Sequence, residues 1–172
     1  MSSRPQSDEY PEFFGAYINS VPDGDIASIL ESQGRATQKL LSSIDEERAA
    51  HRYAPGKWSI KQLVGHVTDA ERVFAYRLVA IARGEKQSLP GFEENDYVDN
   101  ANFDERSLAE LAEGLAATRS ATLALARTLS DEAWDRRGVA NGNAISARAI
   151  AWGIAGHERH HLGILRERYG VA

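Results

Sequence analysis

From Asp25 onward the apolar residues fall at helical intervals. Ile26, Ile29, Leu30, Leu40, Leu41 and Ile44 keep to one face of a period near 3.6, which predicts a first helix from Asp25 to about Ile44. A second begins just after Ser59, because Ser59 followed by Gln62 is a capping box, and Gly84 stops it. Its seam of Ile60, Leu63, Val67, Ala70, Phe74, Leu78 and Ile81 has the spacing of a bundle interior. An Ala-, Leu- and Arg-rich stretch predicts a third helix from about Glu105 to Leu129. A fourth is capped by Ser146 and runs to about Arg168, with Gly170 just past its end.

The segments between helices are long. Residues 45–58 carry a Pro55-Gly56 turn signal, 84–103 form a long connection, and 130–145 are broken by Gly138 and Gly142. No segment reads convincingly as a strand. Upstream, Pro5, Pro11 and Pro22 punctuate a mixed stretch in which Phe13 to Ile18 predicts a short helix packed on the body. The expected fold is all-α: a four-helix bundle over residues 25–172 with an N-terminal extension over 1–24. Connections of this length do not dictate simple up-down-up-down order.

Composition narrows the function classes. The 172 residues fit one domain, and 42% hydrophobic with 26% charged residues is ordinary for a globular protein. There is no cysteine, which excludes disulfides, thiolate metal sites and a cysteine nucleophile. A net charge of -5 argues against general affinity for nucleic-acid phosphates. The N-terminus lacks the pattern of a signal peptide, and no apolar run is long enough to span a membrane. A cytoplasmic protein acting on small molecules, without nucleic-acid or membrane partners, is the expectation.

Three of the five histidines cluster in the stretch GHERHHLGIL, residues 156–165. With Ile150 at zero and ~100° per residue, Ile154 lies at ~40°, Ile164 at ~320° and Leu165 at ~60°. His157 at ~340° and His161 at ~20° fall inside that apolar face, and His160 at ~280° falls off it. On the second helix, with Leu63 at zero, His66 at ~300° borders the core face. Gly65 before it costs helix stability and leaves room for a close approach.

Two inward imidazoles at i and i+4 form a two-point metal clamp, and a third from a facing helix completes a three-histidine site with an open position. Zn, Ni, Cu and Fe(II) all suit neutral imidazole, and an open position is catalytic in character. The plain alternative is a set of hydrogen-bonded core histidines, although two on one apolar face must both be satisfied. His160 and His51 read as solvated or surface side chains. His157-Glu158-x-x-His161 also matches the H-E-x-x-H zinc-protease pattern, but no downstream histidine follows, and the match is weak.

These residues carry a resemblance. Gly56-Lys57-Trp58-Ser59 leads into Gly65-His66-Val67-x-Asp69, and the last helix carries His157-x-x-x-His161. In order and spacing, residues 25–170 resemble the DinB-like superfamily, the DinB/YfiT-like proteins. The resemblance implies an up-down-down-up four-helix bundle, a homodimer, and a divalent metal, zinc or nickel, held by His66, His157 and His161. It also implies chemistry with a low-molecular-weight thiol, such as S-transfer to a small electrophile or thiol-assisted isomerisation. Such a thiol would bring the nucleophile that this cysteine-free chain lacks.

Two other expectations stand beside this one. Metal-assisted hydrolysis would use Glu158 or a carboxylate of the 84–103 connection as general base. A non-catalytic bundle would close the site with a fourth ligand from that connection. Its acidic residues Glu93, Glu94, Asp96, Asp99 and Asp104 read first as a solvated loop and second as a lid over an amine-bearing thiol. Asp69 and Glu71 read mainly as surface charge, with orientation of a ligand histidine as the alternative. Trp58 reads as a staple before the second helix. Trp152 at ~200° faces away from the core, toward a dimer interface or the loops, and Arg148, Arg159, Arg166 and Arg168 read mostly as surface ion-pair partners.

Overall fold

The structure, a computed structural model, describes residues 3–171. Single-turn 3-10 segments at Ser7–Glu9 and Glu12–Phe14 lead into α1, Gly15–Ser20. The chain then runs through α2 (Ile26–Leu41), α3 (Glu46–Ala49), α4 (Ile60–Ala82), α5 (Glu94–Asn100), α6 (Leu108–Ala126), α7 (Asp131–Asp135) and α8 (Ala147–Tyr169). Helices α2, α4, α6 and α8 form a four-helix bundle. Packing runs α2 to α6, α6 to α4, α4 to α8 and α8 back to α2, so the first long helix neighbours the third and fourth. The long connections permit that order.

The helix ends follow their chemistry. Asp25, Ser59, Ser107 and Ser146 cap α2, α4, α6 and α8, each accepting from a backbone N–H in the first turn. Ser59 with Gln62 and Ser107 with Glu110 close full capping boxes. Gly170 ends α8 in the left-handed region at φ 64.

Strands Arg137–Ala140 (β1) and Asn143–Ser146 (β2) pair antiparallel, contrary to the expectation of helices alone. Asn141 and Gly142 link them with φ 50 and 73, as a two-residue turn of positive φ requires. Leu89 bridges to Ala140, so the hairpin pins the connection between α4 and α6. None of the helices among the described residues is long and apolar enough to cross a membrane.

The interior is layered. One apolar cluster gathers Phe14, Ile18, Leu30, Leu78, Ile150 and Trp152, and the other Leu41, Leu63, Leu111, Leu115, Leu165 and Tyr169. Between them every long helix contributes buried polar side chains: Gln33 and Thr37 from α2, His66 and Glu71 from α4, Arg119 and Thr122 from α6, His157, Glu158 and His161 from α8. Of the two expected surroundings for Trp152, an interface or the irregular segments, the structure shows the second. Trp152 is fully buried because the N-terminal segment covers that side of α8, with the Arg4 guanidinium 4.7 Å from its ring centre.

Candidate metal centre

Half of the polar belt belongs to the histidines. His66, His157 and His161 are buried, at 2%, 7% and 9% exposure, and one ring nitrogen from each lies within 4.8 Å of the others. His157 Nε2 is 3.1 Å from His66 Nε2 and 3.2 Å from His161 Nε2. The three residues selected by helical periodicity therefore do meet. His160 is exposed beside Tyr17, and exposed His51 lies against Tyr169; neither takes part.

The surroundings hold the rings in place. The His66 ring lies 4.8 Å from the Trp58 ring, and His157 packs edge-on against Tyr17 and Phe74. Gly65 makes room for a ring rather than a helix, since a Cβ there would stand 2.5 Å from Phe103 carbons. At Gly156 a Cβ would collide with the Tyr17 backbone, so the glycine lets α1 lie against α8 next to His157.

Burial lowers all three imidazole pKa values, to about 4 for His66, about 3 for His157 and about 2 for His161. For His157 and His161 the neighbouring histidines lower them further. Near pH 7 the rings are neutral, the state in which imidazole binds metal. His157 Nε2 faces two other Nε2 atoms and can share a proton with only one. Nitrogens held ~2.0–2.1 Å from a tetrahedral metal stand about 3.3 Å apart, close to the two separations seen here. The donor set thus fits a divalent metal with an open position. One imbalance remains: His161 Nδ1 is buried with no hydrogen-bond partner among the described residues.

Neither Asp69 nor Glu71 orients a ligand ring. Asp69 pairs with Arg72, and Glu71 is not surface charge but lies in the other half of the belt. There Arg119 donates to both Glu71 oxygens, to Glu158 Oε2 and to the Leu30 carbonyl, each at 2.8 to 2.9 Å. Gln33 and Thr37 also donate to Glu158. Burial opposes the Arg119 charge, but the Glu71 hydrogen bond and both carboxylates outweigh it and raise the guanidinium pKa. Glu158 is consequently no general base for the histidines. Its partners from α2 and α6 occupy it on the adjoining part of the buried face of α8.

The carboxylate that reaches the histidines is Glu94 of α5, with Oε2 3.8 Å from His66 Nε2. Its side chain is half exposed, at 52%. Burial, and secondarily Glu94, raise the pKa of Tyr17 nearby. Two cavities meet the trio: one of about 250 Å³ bordered by Tyr17, Phe74, Glu94 and His157, and one of about 210 Å³ bordered by Trp58, Asn95 and His161. Helix α5 contributes to both.

The sequence profile of the DinB superfamily matches residues 29–165, a stretch that includes all three histidines. The chain belongs to the DinB superfamily. Among its relatives, a proposed metal-dependent hydrolase, OB0413 of Oceanobacillus iheyensis, is 25% identical over 141 residues, 80% of this chain and 79% of that one. YfiT from Bacillus subtilis, also a proposed metal-dependent hydrolase, has a four-helix bundle of unusual topology. It superposes with a TM-score of 0.74 at 17% identity, over 98% of this chain and 94% of its own. A mycothiol-dependent maleylpyruvate isomerase superposes with a TM-score of 0.64 at 18% identity, over 84% of this chain. The DinB chain described here spans only 61% of that isomerase.

Proposed function

We propose that this DinB protein is an enzyme of small-molecule chemistry. In this reading His66, His157 and His161 hold one divalent cation, zinc or nickel, and a low-molecular-weight thiol supplies the nucleophile. The convergence of three neutral, buried Nε2 atoms carries the reading. A chain without cysteine must take a sulfur nucleophile from outside, and the two cavities at the trio give thiol and substrate separate room. The shared fold with a mycothiol-dependent isomerase supports the same choice.

When bound, the cation supplies Lewis acidity that favours thiolate over thiol. The chain's own groups do the rest. The imidazoles fix the reacting position, and Tyr17 and Phe74 shield His157 from bulk water. Glu94 stands beside His66 to accept the S–H proton. The sulfur then bonds to an electrophilic carbon, and the leaving group departs with the proton that Glu94 returns. In an isomerisation the sulfur would add to one carbon of a double bond conjugated to a carbonyl, the π pair moving onto the carbonyl oxygen; the freed single bond turns, and return of the pair re-forms the double bond and expels the thiolate.

Hydrolysis is the second reading, with water in place of the thiol and Glu94 in place of Glu158 as base. The position of Glu94 favours it, as do the descriptions given to OB0413 and YfiT. A homodimer in the cytoplasm completes the proposal.

Metal content measured on untagged protein, wild type beside His161→Ala, tests the common core. About one metal per chain, lost in the variant, is expected. No metal, and none taken up from added zinc or nickel, sinks both enzyme readings and leaves the bundle non-catalytic. Turnover of small electrophiles with and without added thiol then separates transfer from hydrolysis, and light scattering on the purified protein tests the dimer.

A further inference from the structure

Buried charges in proteins are nearly always paired. This chain follows that rule at Arg119, held by two carboxylates, and at half-buried Arg148, held by Glu9 and Asp135. Arg77 breaks it. It lies on α4 three turns beyond His66, is 8% exposed, and has no carboxylate within 4 Å among the described residues. Its hydrogen bond goes to a neutral group, the Pro90 carbonyl, at 2.7 Å. A guanidinium has five donors. None of the remaining Arg77 nitrogens is among the sealed, unpartnered atoms, and Arg77 lines a cavity.

That cavity is the 250 Å³ chamber whose other end is His157 and Glu94. Its walls are flat and apolar near the cation: the Phe74 and Phe92 ring centres lie 5.8 and 5.9 Å from the guanidinium carbon, and Ile150 adds an aliphatic side. The hairpin tip supplies Asn141 and Asn143. A space of about 250 Å³ suits a small molecule. Eleven residues of helix separate His66 from Arg77, an axial rise of about 16 Å that the backward lean of the Arg77 side chain shortens.

We propose that Arg77 binds a carboxylate of the molecule that reacts at the three histidines, so that the substrate is a small organic acid with a flat apolar body. The inference rests on the reading of the histidines as the reacting centre, but the anchor is a separate group and is testable without metal. The substrate carboxylate supplies the missing counter-charge and accepts two parallel N–H bonds, as carboxylates do from arginine. Its apolar body lies between Phe74 and Phe92 with the reactive end toward His157.

The test uses benzoate and its neutral isostere benzamide as probes, titrated into metal-free protein by calorimetry. Benzoate is expected to bind at least tenfold more tightly than benzamide and to shift the Arg77 Nε–H resonance. Arg77→Met should bring benzoate down to the benzamide level, Arg77→Lys should keep part of the preference, and His161→Ala should leave it unchanged. If Arg77→Met does not fold, the wild-type resonance shift and the Arg77→Lys titration decide the question. Equal binding of the two probes, binding of neither, or a preference that survives Arg77→Met overturns the proposal. A benzoate preference in a protein that takes up no metal would keep the anchor and remove only the reaction at the histidines.

Discussion

His157 and Glu158 are neighbours in sequence and serve opposite halves of one buried belt. On Glu158's side every charge is answered: Arg119 joins Glu71 and Glu158, and Gln33 and Thr37 fill the remaining acceptor sites. On His157's side three nitrogens face one another and His161 Nδ1 has no partner. In the first half the carboxylates and the guanidinium are paired, although Gln33 Oε1 is buried without a partner, and it has the character of a structural bolt. In the second, three neutral ring nitrogens converge with no opposite charge buried among them. Charge pairing separates the two.

The largest expected effect that tests this contrast is acid. The three histidines have folded pKa values of about 4, 3 and 2, below the ordinary ~6.5 of the unfolded chain. The unfolded state therefore binds more protons below pH 6.5. The stability of metal-free protein is full above that value and falls as pH drops toward 4, by about 2 kcal/mol per histidine at pH 5. Urea melts at pH 7.5, 6 and 5 measure it, and coincident curves would mean the rings are not held neutral.

Breaking the paired half comes next. Arg119→Met leaves two buried carboxylates without their cation and should cost about 3–5 kcal/mol at pH 7, read as a lower melting temperature. Filling the histidine half should raise stability instead. Zinc or nickel at about a hundred times its dissociation constant adds about 2.7 kcal/mol, and His161→Gln should abolish that increment.

Gly156→Ala probes the joint between the N-terminal segment and the trio. Its methyl meets the Tyr17 backbone, which cannot swing aside as a side chain can, so a loss of about 1–3 kcal/mol is expected together with weaker metal retention. The smallest effect belongs to the exposed pair Arg127–Glu31 at 2.9 Å. There Arg127→Ala should change the melting free energy by less than about 1 kcal/mol.

Much of this was readable from residue spacing. The four long helices, the serine caps of α4 and α8, and the inward pair His157 and His161 followed from spacing, composition and end chemistry, whereas the Asp25 and Ser107 caps emerged only in the structure. The charged bolt left a signal too. Glu71 lies four residues past Val67, Arg119 four past Leu115, and Glu158 falls at ~80°, next to Leu165 on the apolar face of α8. Charges at seam positions mark a buried pair, but a helical wheel does not say which helices meet. The hairpin was announced by Asn141-Gly142, the strongest short hairpin signal, in strands too short to show alternation. Glu94 had no such mark. It is one acid among five in its connection, and only the docking of α5 over the histidines singles it out. For Trp152 the wheel gave only a direction away from the seam, and the structure decides between the two covers it left open, since residues upstream of the bundle lie over it.

That cover has a consequence for how such a protein can change. The stretch shared with the family, 29–165, holds all three histidines, yet Pro11, Phe13, Phe14 and Tyr17 of the neighbouring chamber wall lie outside it. One wall of the chamber is thus written on a different length of chain from the histidines, while Phe74, Arg77 and Phe92 are written with them. A change in the first two dozen residues can reshape that wall and leave the histidines and Arg77 in place.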